Sequence, residues 1–172
     1  MKLKLIKAKN KYKDLIIKTV TEWKKFNIEN NSNSSPMVIF KEDVNDFDKY
    51  IRSLDIKKEE NGLVPSSTYF VYDIEKKDIV GAINIRHYLN DYLLKYGGHI
   101  GLGVNPRYRN KGYGKKILSL AIEKCHKLKI KEILYVCSKD NIYSRKLILS
   151  FNSIYDSTVT NNNEELERYY IR

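Results

Sequence analysis

HIGLGVNPRYRNKGYGKKILSL, residues 99–120, is the stretch on which the reading of the whole chain turns. Its first six residues form a compact apolar-and-glycine run that reads as a strand. Pro106 stops that strand from pairing further, because proline has no N–H to give to a ladder. Gly112 and Gly114 follow in a turn that also holds Arg107, Arg109, Lys111, Lys115 and Lys116. Beyond the turn, Ile117, Leu118, Ala121, Ile122, Cys125 and Leu128 recur at helical spacing, so residues 111–128 are expected to be a helix. A helix N-terminus offers unpaired N–H groups and the positive end of the macrodipole. Glycines at the entry let the backbone approach an anion closely. Strand, glycine-broken basic turn and helix together point to a bound phosphate. The same residues also suit a plain strand–helix turn with solvated Lys and Arg. A Walker A loop is absent, and a Rossmann fingerprint lacks its third glycine.

Working outward, EILYVCS (132–138) is a strand with a nearly continuous apolar run, expected to be buried on both faces. Strand, helix and strand over 99–137 predict a right-handed parallel crossover. A short helix over 139–151 is expected, capped by Asp140 or Asn141. TYFVYDI (68–74) and IVGAINIRHY (79–88) read as an antiparallel hairpin, and NDYLLKYGG (90–98) as a connection. The chain should end in another hairpin, with Asn161–Asn163 near its turn. Upstream, KLKLI (2–6) alternates as a short strand. Apolar spacing predicts helices over 12–28 and 42–54, joined by the polar loop NIENNSNSSP (27–36). The expected fold class is therefore α/β (mixed α+β): a central mixed, mostly antiparallel sheet with one parallel strand–helix–strand crossover and helices on both faces.

A length of 172 residues suits one domain, and 42% hydrophobic content supports a packed core. The expected division is 1–67 as N-terminal helices, 68–160 as the phosphate-turn core and 161–172 as a terminal strand. Net charge is +11, from 32 Lys+Arg against 21 Asp+Glu. That balance favours anionic partners, although the Lys, Asn, Ile and Tyr richness is also what an AT-rich genome writes. A nucleic-acid binder would need a basic stripe with interleaved aromatics, whereas Lys and Tyr are scattered along the whole chain. No nucleic-acid partner and no membrane are expected. Cys125 and Cys137 form neither a disulfide framework nor a zinc spacing and read as buried small hydrophobes. No metal is expected: His87 and His99 alone lack the number and spacing of a zinc site. The N-terminus holds no signal peptide, so the expected location is cytoplasmic, as a monomer or homodimer.

Val104-Asn-Pro-Arg-Tyr-Arg109-Asn-Lys-Gly112-Tyr-Gly114 resembles the signature (Q/R)-x-x-G-x-(G/A) of the GNAT superfamily of acyl-CoA-dependent N-acyltransferases. Arg109, Gly112 and Gly114 match it. About thirty residues on, Asp140-Asn141-Ile-Tyr-Ser144 resembles the family's second marker, an Asn opening the next helix with a small residue three positions later. Together the two cover roughly 75–160. VPSSTYF (64–70) with residues 86–101 looks like an uncharacterised, "predicted acetyltransferase" branch.

The resemblance implies an N-acetyltransferase that uses acetyl-CoA as co-substrate, with a small-molecule or peptide amine as acceptor. It implies that the backbone of Arg109, Asn110, Lys111, Gly112, Tyr113, Gly114 and Lys115 cradles the CoA pyrophosphate. Strand 99–104 would splay from the next strand to admit pantetheine. The Val104 N–H would polarise the thioester carbonyl, Asn141 would bond the pantetheine arm, and Ser144 would leave it room. The amine would attack directly, with His99 or His87 as candidate bases. Two positions depart from the family. Ile148 stands where many members carry a Tyr that protonates the leaving thiolate, and Asn152-Ser153 replaces the usual Gly-Phe. The departure at Ile148 also allows a non-catalytic acyl-CoA-binding or sensor module.

Overall fold

The computed structural model describes residues 1–172. Four strands form a first antiparallel sheet in the order β1 (Leu3–Ile6), β2 (Ser66–Asp73), β3 (Asp78–Arg86), β4 (Ile100–Val104). Three more form a second antiparallel sheet in the order β5 (Ile133–Ser138), β7 (Glu164–Ile171), β6 (Ser153–Asn161). Alternation along the first sheet sends its side chains into two cores. Phe70, Ile79 and Ala82 meet Ile16, Val20 and Trp23 of α1 (Lys13–Glu29) and Phe47 and Tyr50 of α2 (Phe47–Leu54). Val71, Ile83 and Ile85 meet Ile117, Leu118 and Ala121 of α4 (Tyr113–Lys127) and Ile133, Tyr135 and Tyr169 of the second sheet. Helices thus cover both faces, each burying its apolar stripe.

The expected parallel crossover pair is not formed. Every strand pairing within the two sheets is antiparallel, and β4 and β5 lie in different sheets. They are hydrogen-bonded at one end only. The His99 N–H donates to Leu134 O at 2.8 Å, and the Leu134 N–H donates to His99 Nδ1 at 3.0 Å. The imidazole accepts from Leu134 in place of a backbone carbonyl, the His99 O accepts from the Arg86 N–H of β3 instead of from β5, and no β4–β5 backbone bond follows.

The hairpins fall where the sequence puts them. Asn162 and Asn163 both adopt positive φ (48° and 66°) between β6 and β7, as a two-residue hairpin turn requires. Three segments differ from expectation. The connection 90–98 contains α3 (Asp91–Tyr96), whose Asn90 side chain accepts from the Leu93 N–H. Six residues are too few for periodicity to register, but the Asn cap was a readable signal. The helix expected from residue 42 starts later, because Asp46 caps α2 by accepting from the Lys49 N–H. Upstream of it, between the expected loop and the expected helix, Met37–Phe40 form a short 3-10 turn. The terminal helix α5 (Ile142–Leu149) begins at Asn141, one of the two expected caps.

Gly103 shows how tightly the first layer closes on β4. A Cβ there would lie 1.9 Å from Ser35 O and 2.8 Å from Trp23 Cζ2, so the segment before α2 rests directly on the strand. Gly103→Ala should displace that segment and cost about 1–3 kcal/mol, the range for overpacking. A urea melt showing an unchanged midpoint would mean that Ser35 is not held against β4.

Candidate functional site

Ladder parity decides what the gap between the sheets presents. Antiparallel strands alternate residues whose backbone groups face the partner with residues whose groups face away. The Arg86 N–H donates to His99 O and the Asn105 N–H to Val80 O, each in register with the β3–β4 pairs. Ile100, Leu102 and Val104 therefore turn their N–H and C=O away from β3. On β5, the Lys139 N–H donates to Glu165 O in register with β7, which turns the Leu134, Val136 and Ser138 N–H groups the other way. The two sheets are pinned at His99 and Leu134, and backbone groups that no neighbouring strand pairs line the gap beyond.

The exit of β4 is fixed by a bulge. The β2–β3 register slips between Val71 and Tyr72, leaving Val80 as the extra residue. Asn105 locks onto it: its N–H donates to Val80 O (3.0 Å) and its Nδ2 to Ile79 O (2.8 Å). Asn105 Oδ1 then accepts from the Arg107 N–H at 3.2 Å, starting the 3-10 turn Pro106–Tyr108. Arg109 folds back, Nε donating to Val104 O at 3.3 Å, its guanidinium 5.2 Å from the Phe26 ring centroid on α1. Gly112 caps α4 with φ +79°, left-handed backbone that suits glycine, and no side chain caps the helix. The first N–H groups of α4 are thus left for a ligand.

Each expected loop residue has a definite place. Tyr113 turns its side chain inward, its hydroxyl donating to Asp73 Oδ2 at 2.7 Å, so only its backbone N–H faces the turn. Lys111 Nζ donates to Arg107 O at 2.8 Å. Asn110 also has positive φ (58°), and Lys115 lies in the first turn of α4. Gly114 is the meeting point. A Cβ there would sit 3.7 and 3.8 Å from the Leu147 methyls on α5 and 3.8 Å from Val104 Cγ2 on β4. The two sequence markers, far apart in the chain, therefore converge at one mouth. Asn141 caps α5 by accepting from the Ser144 N–H through Oδ1 (3.0 Å). The Ser144 Oγ lies 2.8 Å from the Tyr135 hydroxyl. Ile148 is fully buried in the core beneath α5.

The two histidines lie at the other end. His99 is five residues from Val104 along an extended strand, roughly 17 Å at strand rise. It is buried, and burial together with the nearby Arg86 charge lowers its pKa from 6.5 to about 4. His87 lies just past the end of β3, its Nε2 2.9 Å from Ser67 Oγ. A histidine base and a thioester carbonyl at Val104 are therefore not brought together. The glycine face of β4, expected to share a side with His99, packs under Ser35, Pro36 and Trp23.

Both cysteines are buried, their thiols pushed up to about 12 for Cys125 and about 11 for Cys137 by burial. No group of three or more His, Cys, Asp or Glu side chains is placed to hold a metal ion. No helix is long and apolar enough to cross a membrane. Sequence reasoning missed Phe26 under Arg109, Leu147 beside Gly114 and Tyr135 against Ser144. Phe26 and Tyr135 sit in apolar patterns that read as core, and nothing local singles them out.

The profile of the Acetyltransferase (GNAT) family matches residues 30–151. No curated protein matches the chain significantly. Among solved structures, a spermidine N-acetyltransferase from Vibrio cholerae in complex with CoA and spermine is similar, with TM-score 0.64 and 13% identity over 98% of this chain and 94% of that one. So is a putative ribosomal-protein-serine acetyltransferase from Vibrio cholerae, with TM-score 0.65 and 16% identity over 99% and 94%. A ribosomal L7/L12 alpha-N-protein acetyltransferase in complex with coenzyme A gives 0.66 and 14% over 98% and 93%. At these identities the likeness is one of fold.

Proposed function

This chain belongs to the GNAT acetyltransferase family, and we propose that it moves an acetyl group from acetyl-CoA to a primary amine by direct attack. The observation that carries this reading is the gap between β4 and β5, pinned at His99 and open at Val104 beside the uncapped start of α4. In this reading the N–H groups from Arg109 to Lys115 hold the pyrophosphate, where the helix dipole favours negative charge. Asn141 has its Oδ1 committed to capping α5, so its amide N–H₂ is the group that meets the pantetheine arm. The Val104 N–H stabilises the oxyanion as the amine adds to the thioester carbon. Positioning supplies most of the rate, since the attack becomes effectively unimolecular.

Neither histidine serves as base in this mechanism, given their distance from Val104. The amine enters in its free form and gives up its proton to water after attack. The burial of Ile148, where the family's Tyr stands, favours one alternative: an acyl-CoA-binding module without turnover. The neighbours act on spermidine or on ribosomal protein. We assign this chain to the peptide class rather than to polyamines, because a net charge of +11 opposes encounter with a polycation. Incubation with acetyl-CoA and equal concentrations of spermidine and neutral or acidic N-terminal peptides, read by mass spectrometry, tests the assignment. Acetylated peptide is expected. Spermidine as the faster substrate would reverse the acceptor class, and acetyl-CoA binding without any product would leave the binding module.

A further inference from the structure

The family's leaving-group tyrosine is missing, yet two other hydroxyls meet beside the gap. Tyr135 comes from β5 and Ser144 from the first turn of α5, with 2.8 Å between their oxygens. They hold two hydroxyl protons and share one hydrogen bond, so one proton is left over. Burial decides which. Tyr135 is 4% exposed and its hydroxyl has no other partner, whereas Ser144 is only half-buried. If Ser144 donated, the phenolic O–H would be buried and unsatisfied, an arrangement that buried polar groups avoid. Tyr135 therefore donates to Ser144, and the Ser144 O–H is left for a second acceptor; the Cys137 sulfur beside it is a weak one while the thiol stays protonated. Ser144 lies one turn before Leu147, which packs around Gly114 together with Val104. The free hydroxyl thus stands on the helix that flanks the mouth of the gap.

We propose that Ser144 donates a hydrogen bond to the sulfur of CoA, and that Tyr135 is the positioning residue that aims it. This rests on the acetyl-CoA reading above. As the new C–N bond forms and the tetrahedral intermediate collapses, the C–S bond breaks and its electron pair stays on sulfur. The Ser144 O–H stabilises that thiolate without giving up its proton. The thiolate is protonated by water when CoA leaves, and the amine proton has already gone to solvent. The Tyr135 O–H bond polarises the serine and strengthens its donation. The Cys137 thiol, buried beside the same serine, offers no competing negative charge, because burial keeps it protonated.

The test needs no acceptor. Free CoA is titrated calorimetrically into wild type, Ser144→Ala and Tyr135→Phe, and the thiol of the bound CoA is then titrated with pH by its far-ultraviolet thiolate absorbance. Wild type is expected to ionise bound CoA more readily than CoA in water. Ser144→Ala should lose about threefold or more in that ionisation constant, a change of about half a pKa unit. Tyr135→Phe should lose part of it, and both should keep CoA affinity within about threefold. A merely structural pair would leave the thiol titration unmoved. Bound CoA that titrates like free CoA in wild type, or identically in Ser144→Ala, overturns this assignment alone. Folded wild type that binds no CoA overturns the acetyl-CoA reading and this assignment with it.

Discussion

Gly114→Glu loses acetyl-CoA binding and keeps its fold. Gly114 needs no left-handed backbone, and its virtual Cβ makes only ordinary contacts of 3.7–3.8 Å with Leu147 and Val104. A carboxylate in the first turn of α4 is favoured by the helix dipole, by about 0.3–1 kcal/mol. The substitution is therefore near neutral or mildly stabilising for the free protein. For a pyrophosphate on the same N–H groups it does the reverse. Two like charges ~4 Å apart near a surface repel by about 4 kcal/mol before salt screening, so a loss of at least ~100-fold in affinity is expected. Calorimetric titration with acetyl-CoA and a thermal melt of the same sample read both halves. Gly114→Ala should fall between, since a methyl group narrows the cradle without charging it. Undiminished affinity in Gly114→Glu would move the cofactor off this turn. Lost affinity with a collapsed melting temperature would make Gly114 a folding residue.

The same few residues show what the sequence displayed and what it hid. Gly112, Gly114, Arg109 and Asn141 were legible because each answers a local demand. These are a left-handed cap, room at a helix start, a cation at the turn and a side-chain cap. Local demands leave local signals. The splay of the two strands came only with the family resemblance, since strand–helix–strand order by itself predicts a parallel ladder whether or not the ladder closes. Where the gap begins is set by one long-range contact, Leu134 N–H to His99 Nδ1, across thirty-five positions of sequence. The hydroxyl pair of Tyr135 and Ser144 is hidden for the same reason, because Tyr135 reads as a core residue in an apolar strand. Alternation along β4 put His99 on the side of Gly101 and Gly103. It could not show that Ser35 and Pro36 lie on that face. Periodicity assigns faces, and only packing says what covers them.

His99 follows from that long-range contact, and its substitutions should change stability rather than rate. His99→Ala leaves the Leu134 N–H buried without an acceptor at the pinned end of the gap. That costs about 1–3 kcal/mol, or several degrees in melting temperature for a chain of this size. His99→Asn keeps an acceptor near the position of Nδ1 and should recover much of the loss. The pH dependence separates the two roles of the ring. In the folded protein burial and Arg86 hold the His99 pKa at about 4, against 6.5 for the free side chain. The unfolded chain therefore takes up a proton first as pH falls. The stabilisation is complete above about 6.5 and is lost progressively towards pH 4. Wild type should lose stability over that window, and His99→Asn should lose less, because an amide does not titrate there. Acetyl transfer at neutral pH should be similar in wild type and His99→Asn, since Val104 lies some 17 Å further along the strand. A folded His99→Asn enzyme with normal acetyl-CoA affinity and a collapsed turnover would put the imidazole in the chemistry. The acetyl group would then have to sit at the pinned end of the gap, far from the glycine turn that holds the phosphates.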